Sequence, residues 1–334
     1  MFERILLPLD GSTLAECVLP HAVALSRATN AQLVLLHVVE PVPEQGPMAT
    51  DPLHWHLLKA ETRAYLDEIS ERLRRVGLAV EGVQLEGPAA ERIIEYAREN
   101  EVDLILLSSH GRSGLTGWNV SSVVQKVILR INRSVMIIRA YEAGEADLES
   151  LTYRRILVPL DGSRRAEFVL PVVSALARYG NAEVMLATAV TRPEMPRRTP
   201  LSDEDAELVE KVVARNREEA EKYHAQLGSW LTTDKVSSHL LVGDSAISLL
   251  HGLAVEQSVD LVVLSAHGYS GDVHRPYGSR VTSFIVYGST PLLIIQDLPA
   301  DMIESSQAEM ITTQTLVSER VQGGPASIYA RTNE

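Results

Sequence analysis

The chain predicts two tandem α/β domains, each built on a parallel, doubly wound sheet. Three observations point there. Short apolar runs alternate with segments of helical apolar spacing through both halves. An acidic stretch without apolar period separates the halves. The pattern then restarts: Ile156-Leu-Val-Pro-Leu-Asp-Gly-Ser163 repeats Ile5-Leu-Leu-Pro-Leu-Asp-Gly-Ser12, 151 positions on.

Ile5–Leu9 is too short for a helix and ends in the turn residues Asp10-Gly11-Ser12, so it reads as a buried strand. Ser12 is placed to cap a helix bearing Ala15, Val18, Leu19, Ala22 and Val23. Pro20 lies inside that pattern, so the helix is kinked or starts late. Gln32–Val39 is a second buried strand. A proline-rich loop, 41–52, leads to an amphipathic helix over 54–76. Val80–Leu85 alternates as a half-buried strand, and Gly87-Pro88 opens the helix Ala89–Asn100. Strand 103–107, a polar loop, a helix with Val124, Val127, Ile128 and Ile131 on one side, and Ser134–Arg139 complete five strands.

Residues 141–152 read as an acidic linker between domains 1–140 and 153–298; 299–334, rich in Ser, Thr and Gln, read as a poorly ordered tail. The fourth and fifth strands recur at a shift of 157. Six extra residues therefore lie between the first and fourth strands of the second half, with 191–231 the expected place.

The bulk numbers narrow the function classes. At 45% hydrophobic and 22% charged, the 334-residue chain is of soluble, globular type. A net charge of −13 argues against DNA or RNA as a partner. No apolar run approaches the about 20 residues of a membrane span. The opening Met-Phe-Glu-Arg-Ile-Leu-Leu-Pro enters a strand and lacks a secretion-signal layout, so a cytoplasmic location is expected. Cys17, the one cysteine, reads as a small buried thiol. His54 and His56 diverge on a helix and have no third ligand nearby, so no metal site is expected there.

Chemistry concentrates in a loop present twice. Ser108-Ser-His-Gly111 runs on to Ser121-Ser122, and Ser265-Ala-His-Gly268 runs on to Gly278-Ser279. Each loop lies between a buried strand and a helix, where backbone N–H groups and the positive helix end favour an anion. A strand order 3-2-1-4-5 would place Asp10 beside the first loop and Asp161 beside the second, at the crevice where the order reverses. An Asp that accepts from ribose hydroxyls, beside a loop that cradles phosphates, suits a nucleotide. Each part has a plainer reading. Asp-Gly-Ser is also a turn and cap, and Ser122 with Gln125 has capping-box spacing. His110 and His267 read as holding their loops by hydrogen bonds rather than moving protons. Joint recurrence in two copies favours the functional reading.

Taken together, the strand-Pro-x-Asp openings, the Ser-x-His-Gly loops and the small pair nine residues later resemble the universal stress protein family in tandem form, over about 1–140 and 153–298. The resemblance implies two Rossmann-like (adenine nucleotide alpha hydrolase-like) α/β domains, each a five-stranded parallel sheet of order 3-2-1-4-5 flanked by helices. It also implies, for one branch of the family, ATP binding through Gly, two residues, Gly, nine residues, Gly-Ser. Carried across, that pattern falls on Ser108, Gly111, Ser121 and Ser122, and on Ser265, Gly268, Gly278 and Ser279. The acidic residue falls on Asp10 and Asp161, and the adenine contact on Val38 and Ala189. The second half keeps more of the pattern. A Ser forced into left-handed geometry costs about 1–2 kcal/mol, so the second half is expected to be the chief nucleotide site. His274, Arg275 and Arg280 either supply charge to phosphates or face solvent; the sequence leaves both open.

The expectation is a stress-response protein that binds ATP or a related adenine nucleotide, with or without magnesium. The alternatives are a nucleotide-independent interaction module and a slow nucleotide hydrolase. No nucleophile–base pair, Walker loop or dinucleotide fingerprint is legible, so no catalytic residue is assigned. Val135–Ile138 and Leu292–Ile295 are expected at sheet edges, where the two halves can pair as a pseudo-dimer. A higher homo-oligomer is left open.

Overall fold

The strand Ile5-Leu6-Leu7 is fully buried, as an apolar run must be when helices cover both faces of a sheet. It is the centre of the first half in a computed structural model that describes residues 1–40, 52–111, 120–140, 147–193, 202–269 and 276–297. The first half contains β1 (Arg4–Pro8), α1 (Leu19–Thr29), β2 (Gln32–Val39), α2 (Pro52–Arg75), β3 (Val80–Glu86), α3 (Ala89–Glu99), β4 (Leu104–Ser108), α4 (Ser122–Arg130) and β5 (Ser134–Ile138). The second repeats it as β6 (Arg155–Pro159), α5 (Leu170–Gly180), β7 (Glu183–Thr191), α6 (Asp203–Gly228), β8 (Val236–Gly243), α7 (Ala246–Glu256), β9 (Leu261–Ser265), α8 (Ser279–Tyr287) and β10 (Leu292–Ile295). The expected tail and part of the linker, with His274 and Arg275, lie outside the described residues.

Each half has the order 3-2-1-4-5 with parallel neighbours. The strand order turns between β1 and β4, and again between β6 and β9. The two sheets meet along one antiparallel seam, β5 on β10, with Met136 opposite Leu293. Ten strands therefore form one sheet among the described residues. One apolar layer joins α1, α2, α5 and α6 to one face, and a second joins α3, α4, α7 and α8 to the other.

Pro20 decides where α1 begins. A 3-10 turn, Ala15–Val18, comes first, and α1 starts late with Pro20 in its first turn, where a missing N–H costs nothing. Pro171 does the same for α5. The extra residues of the second half are located by register. Leu35 pairs with Gly82, and Leu186 with Ser238, so five of them lie between β2-type and β3-type strands. The sixth lies in the turn before α7.

Polar contacts fasten the halves. The buried Arg139 guanidinium, just past β5, donates to the Phe284 and Ile285 carbonyls at 2.9 and 2.8 Å. Those carbonyls lie in the last turn of α8, where the helix dipole favours a cation. His21 Nδ1 lies 2.7 Å from the Tyr153 hydroxyl across the α1 side of the junction. Leu148 and Leu151, in the described part of the linker, rest on the apolar core.

Arg139→Met should lower the thermal midpoint, with a loss of about 2–3 kcal/mol, because two charge-assisted bonds to buried carbonyls vanish. A midpoint equal to wild type in a melting experiment would show the clamp to be idle. Acid sensitivity has a separate origin. His224 is buried between the Thr188 and Ser238 hydroxyls, at 2.9 and 2.7 Å. Burial, helped by His239, pushes its pKa down to about 4. The unfolded chain binds that proton near pH ~6.5. Stability should therefore be full above that value and fall between it and about 4. Denaturant midpoints against pH should show a shallower slope for His224→Gln.

Candidate functional site

At the C-terminal ends of β1 and β4 the Asp10 side chain packs directly against the backbone of Gly111. Asp10 turns back on its own loop: the Ser12 amide and hydroxyl donate to Oδ1 at 3.0 and 2.6 Å. Gly11 takes a positive φ of 79° to permit that turn. The other carboxylate oxygen, Oδ2, occupies the space where a Cβ of residue 111 would be. The second half repeats this. Ser163 donates to Asp161 Oδ1 by amide and hydroxyl at 3.1 and 2.6 Å, and Asp161 Oδ2 fills the Cβ position of Gly268. These glycines are needed for a side chain to pass, and neither has a positive φ.

The loop ends are tied to the sheet in the same way in both halves. The Ser109 amide donates to Ile138 O, and the Ala266 amide to Ile295 O, both at 2.8 Å. The Ser121 and Gly278 amides donate to Ser109 O and Ala266 O at 2.8 and 2.9 Å. His110 Nδ1 lies 3.1 Å from the Ser109 hydroxyl. His267 donates its amide to the Asp297 carboxylate at 3.1 Å, and its Nδ1 lies 2.9 Å from the same oxygen. Asp297 is fully enclosed, with Arg165 Nε at 3.6 Å. His267 thus ties its loop to the chain just past β10. Asp297 and Arg165 were not legible as site residues, because they meet only when the end of β10 folds against the loop that follows β6.

Two expectations are corrected. Ser121 and Gly278 share one extended conformation, φ −68° and −69°, and neither Ser108 nor Ser265 has a positive φ. The strain assigned to Ser in these loops does not arise. The cap of α4 is Ser121, which accepts from the Val124 amide at 3.4 Å; Ser122 is the first helical residue, so the Ser122–Gln125 capping box is displaced by one. Gly278 supplies no side-chain cap to α8.

The two clefts differ in size. In the first half Asp10, Val38, Ser108, Gly111, Ser121 and Ser122 all line one cavity of ≈ 540 Å³. His37, His54, Leu58, Thr62 and Ile93, none of which the motifs mark, complete its walls. Glu40 at its rim accepts from the Ala89 amide at 2.6 Å and so caps α3. In the second half Asp161, Ser265, Gly268, Gly278, Ser279 and Arg280 line a cleft of ≈ 90 Å³; Ala189 is not part of it. Arg280 Nη1 lies 3.2 Å from Asp161 Oδ2, which also accepts from the Tyr269 amide at 2.8 Å. Burial works against the Asp161 charge, but the Ser163 hydroxyl, the Tyr269 and Ser163 amides and Arg280 outweigh it and hold the pKa below the ordinary value. Cys17 lies 3.4 Å from the Ser108 hydroxyl, and burial pushes its thiol up to about 11, which makes it inert.

The universal stress protein family model matches residues 1–139 and 152–296, the two halves just described. The chain belongs to the universal stress protein family. Among its relatives, universal stress protein MJ0531 of Methanocaldococcus jannaschii is 27% identical over 141 residues, 42% of this chain and 83% of that protein. Universal stress protein YxiE of Bacillus subtilis is 30% identical over 148 residues, 42% of this chain and 100% of that protein. Both are similar to one half only. A putative universal stress protein structure from Pseudomonas aeruginosa UCBPP-PA14 covers 92% of this chain and 97% of its own, with TM-score 0.66 and 16% identity, and shares the tandem fold. Among the described residues no helix is long and apolar enough to cross a membrane.

Gly268→Ala should destabilise the second domain by about 1–3 kcal/mol, because backbone or Asp161 must give way. Gly278→Ser should stay within about 0.5 kcal/mol of wild type, since a Cβ there meets only Ala266 O at 3.7 Å and the His267 Cα at 4.0 Å. Equal losses in thermal melts of the two variants would contradict this reading of the loop.

Proposed function

We propose that this universal stress protein binds ATP or a related adenine nucleotide in its first-domain cleft. One observation carries the reading: the ≈ 540 Å³ cavity joins the Asp10 carboxylate, the end of β2 at Val38 and the N-terminus of α4 at Ser121 and Ser122. Pockets that enclose ligands of this size run to about 300–1,000 Å³. The apolar walls Leu58, Ile93 and Val38 suit a base, Asp10 suits ribose hydroxyls, and the α4 amides suit phosphate. The preference for the second domain rested on its fuller motif and on left-handed strain at Ser121; the extended φ removes the second of these reasons. Magnesium enters only as the counter-ion of the phosphates. In this reading the protein works in the cytoplasm, and the β5–β10 seam makes each chain its own pseudo-dimer.

Calorimetric titration of the full chain with ATP and magnesium should give one nucleotide per chain. Val123→Arg copies into α4 the arginine that α8 carries at its second position, and should weaken binding by about tenfold or more, as a loss of ~1.4 kcal/mol would. Asp10→Ala should weaken it similarly. Absence of heat and of any thermal shift at millimolar nucleotide would overturn the proposal and leave the interaction-module reading. Steady ADP release in the same mixture, abolished by Asp10→Ala, would instead favour the hydrolase reading.

A further inference from the structure

The ten-stranded sheet ends in β3 on one side and β8 on the other, and the two edges differ. Backbone direction fixes what each edge offers. Lys235 O and Gly243 O accept from the Val184 and Arg192 amides at 2.8 and 3.2 Å, so the odd-numbered residues of β8 face β7. Val236, Ser238, Leu240 and Val242 alternate with them and turn both N–H and C=O away from the sheet. In β3 the Ala79 carbonyl accepts from the Leu33 amide, so Val80 and its alternates face outward there. That edge is guarded. Arg74 Nη2 donates to the outward Val80 O at 3.0 Å, and Glu81 and Glu86 put carboxylates on the strand. Charges and blocked carbonyls keep an edge from pairing. β8 has neither: Val-Ser-Ser-His-Leu-Leu-Val-Gly carries no carboxylate, lysine, arginine or proline. Among the described residues no further strand pairs with it.

We infer that β8 is an interface for a second copy of this chain, the two β8 strands pairing antiparallel about a two-fold axis at His239. An isologous contact needs a strand that matches itself when reversed. Centring on His239 sets Ser238 opposite Leu240 of the partner subunit and Val236 opposite Val242 of the partner subunit. All the outward residues then form hydrogen-bonded pairs, about eight bonds in all. Moving the axis by one residue leaves an outward residue of each strand without a counterpart. The β5–β10 seam is the precedent within the chain, where two edges of the same fold already pair antiparallel, Met136 opposite Leu293. Apolar surface adjoins the β8 edge on its α6 side. Val209 and Val213 pack with Val242, while their neighbours Leu208 and Val212, one turn apart, remain exposed. The strand is therefore uncharged, self-complementary and flanked by apolar area, as an interface between copies requires. The first-domain cleft lies at β1 and β4 in the other half, so the inference does not depend on nucleotide binding.

The test is sedimentation equilibrium of the full chain, with and without ATP. A reversible dimer is expected in both conditions. Leu240→Pro removes an outward N–H and no bond to β7, so the thermal melt should be kept while dimerisation weakens about tenfold or more. Gln84→Pro, the same change on the β3 edge, should leave the dimer intact. Across the axis, like charges repel and opposite charges attract. His239→Glu and His239→Lys should therefore each weaken the dimer about fivefold, and an equimolar mixture of the two should restore it. If Leu240→Pro fails to fold, the His239 variants and their mixture decide alone. A monomer at every concentration up to the millimolar range would overturn the inference. So would a dimer indifferent to Leu240→Pro and to the His239 changes, or open-ended assembly lost in Gln84→Pro, which would place β3 of one copy on β8 of the next.

Discussion

The approach of an aspartate carboxylate to a glycine sets the geometry of both clefts. Asp10 fills the side-chain position of Gly111, and Asp161 that of Gly268. The contact joins the loop after the first strand to the loop after the fourth, across the point where strand order reverses. The carboxylate and the N-terminus of the following helix then line the same cleft in each half. The turn residues Gly11-Ser12 and Gly162-Ser163 serve that contact, because the Ser amide and hydroxyl orient one carboxylate oxygen and leave the other to the glycine.

Duplication preserved this frame and altered what it presents. Three pairs of equivalent residues divide the halves: Ser108 and Ser265, Ser121 and Gly278, Val123 and Arg280. In the first domain the serines are consumed by internal bonds and the cleft is wide and largely apolar. In the second the Ser265 hydroxyl is buried without a hydrogen bond, α8 has no side-chain cap, and Arg280 pairs with Asp161. The second loop has more of the family's glycine pattern, yet it encloses less space. A motif counts backbone permissions, whereas ligand size is decided by the side chains around it.

The seam between the halves is of another kind. β5 and β10 are the apolar edge strands that each half would otherwise expose, and antiparallel pairing removes both edges at once. Arg139 adds a charged clamp that reaches from the end of β5 to the last turn of α8. The C-terminal end of α8 is thus held by the first domain. β3 and β8 remain as the outer strands, and their half-buried alternation fits that position.

The sequence by itself determined the fold class, the duplication, the late start of α1 behind Pro20, and the pairing of Asp10 with the loop at Gly111. These follow from local signals: apolar period, turn residues, proline, and a repeat that doubles every observation. It misplaced the α4 cap by one residue and assigned strain to serines whose backbone is extended, because φ at a loop end depends on what the loop is tied to. Only the tertiary structure decided that Asp297 anchors His267, that Arg280 lies on Asp161, and that α2 and α3 wall the larger cleft. Each of those contacts joins residues far apart in the chain, and each is settled by packing and charge compensation rather than by any pattern within a strand or helix.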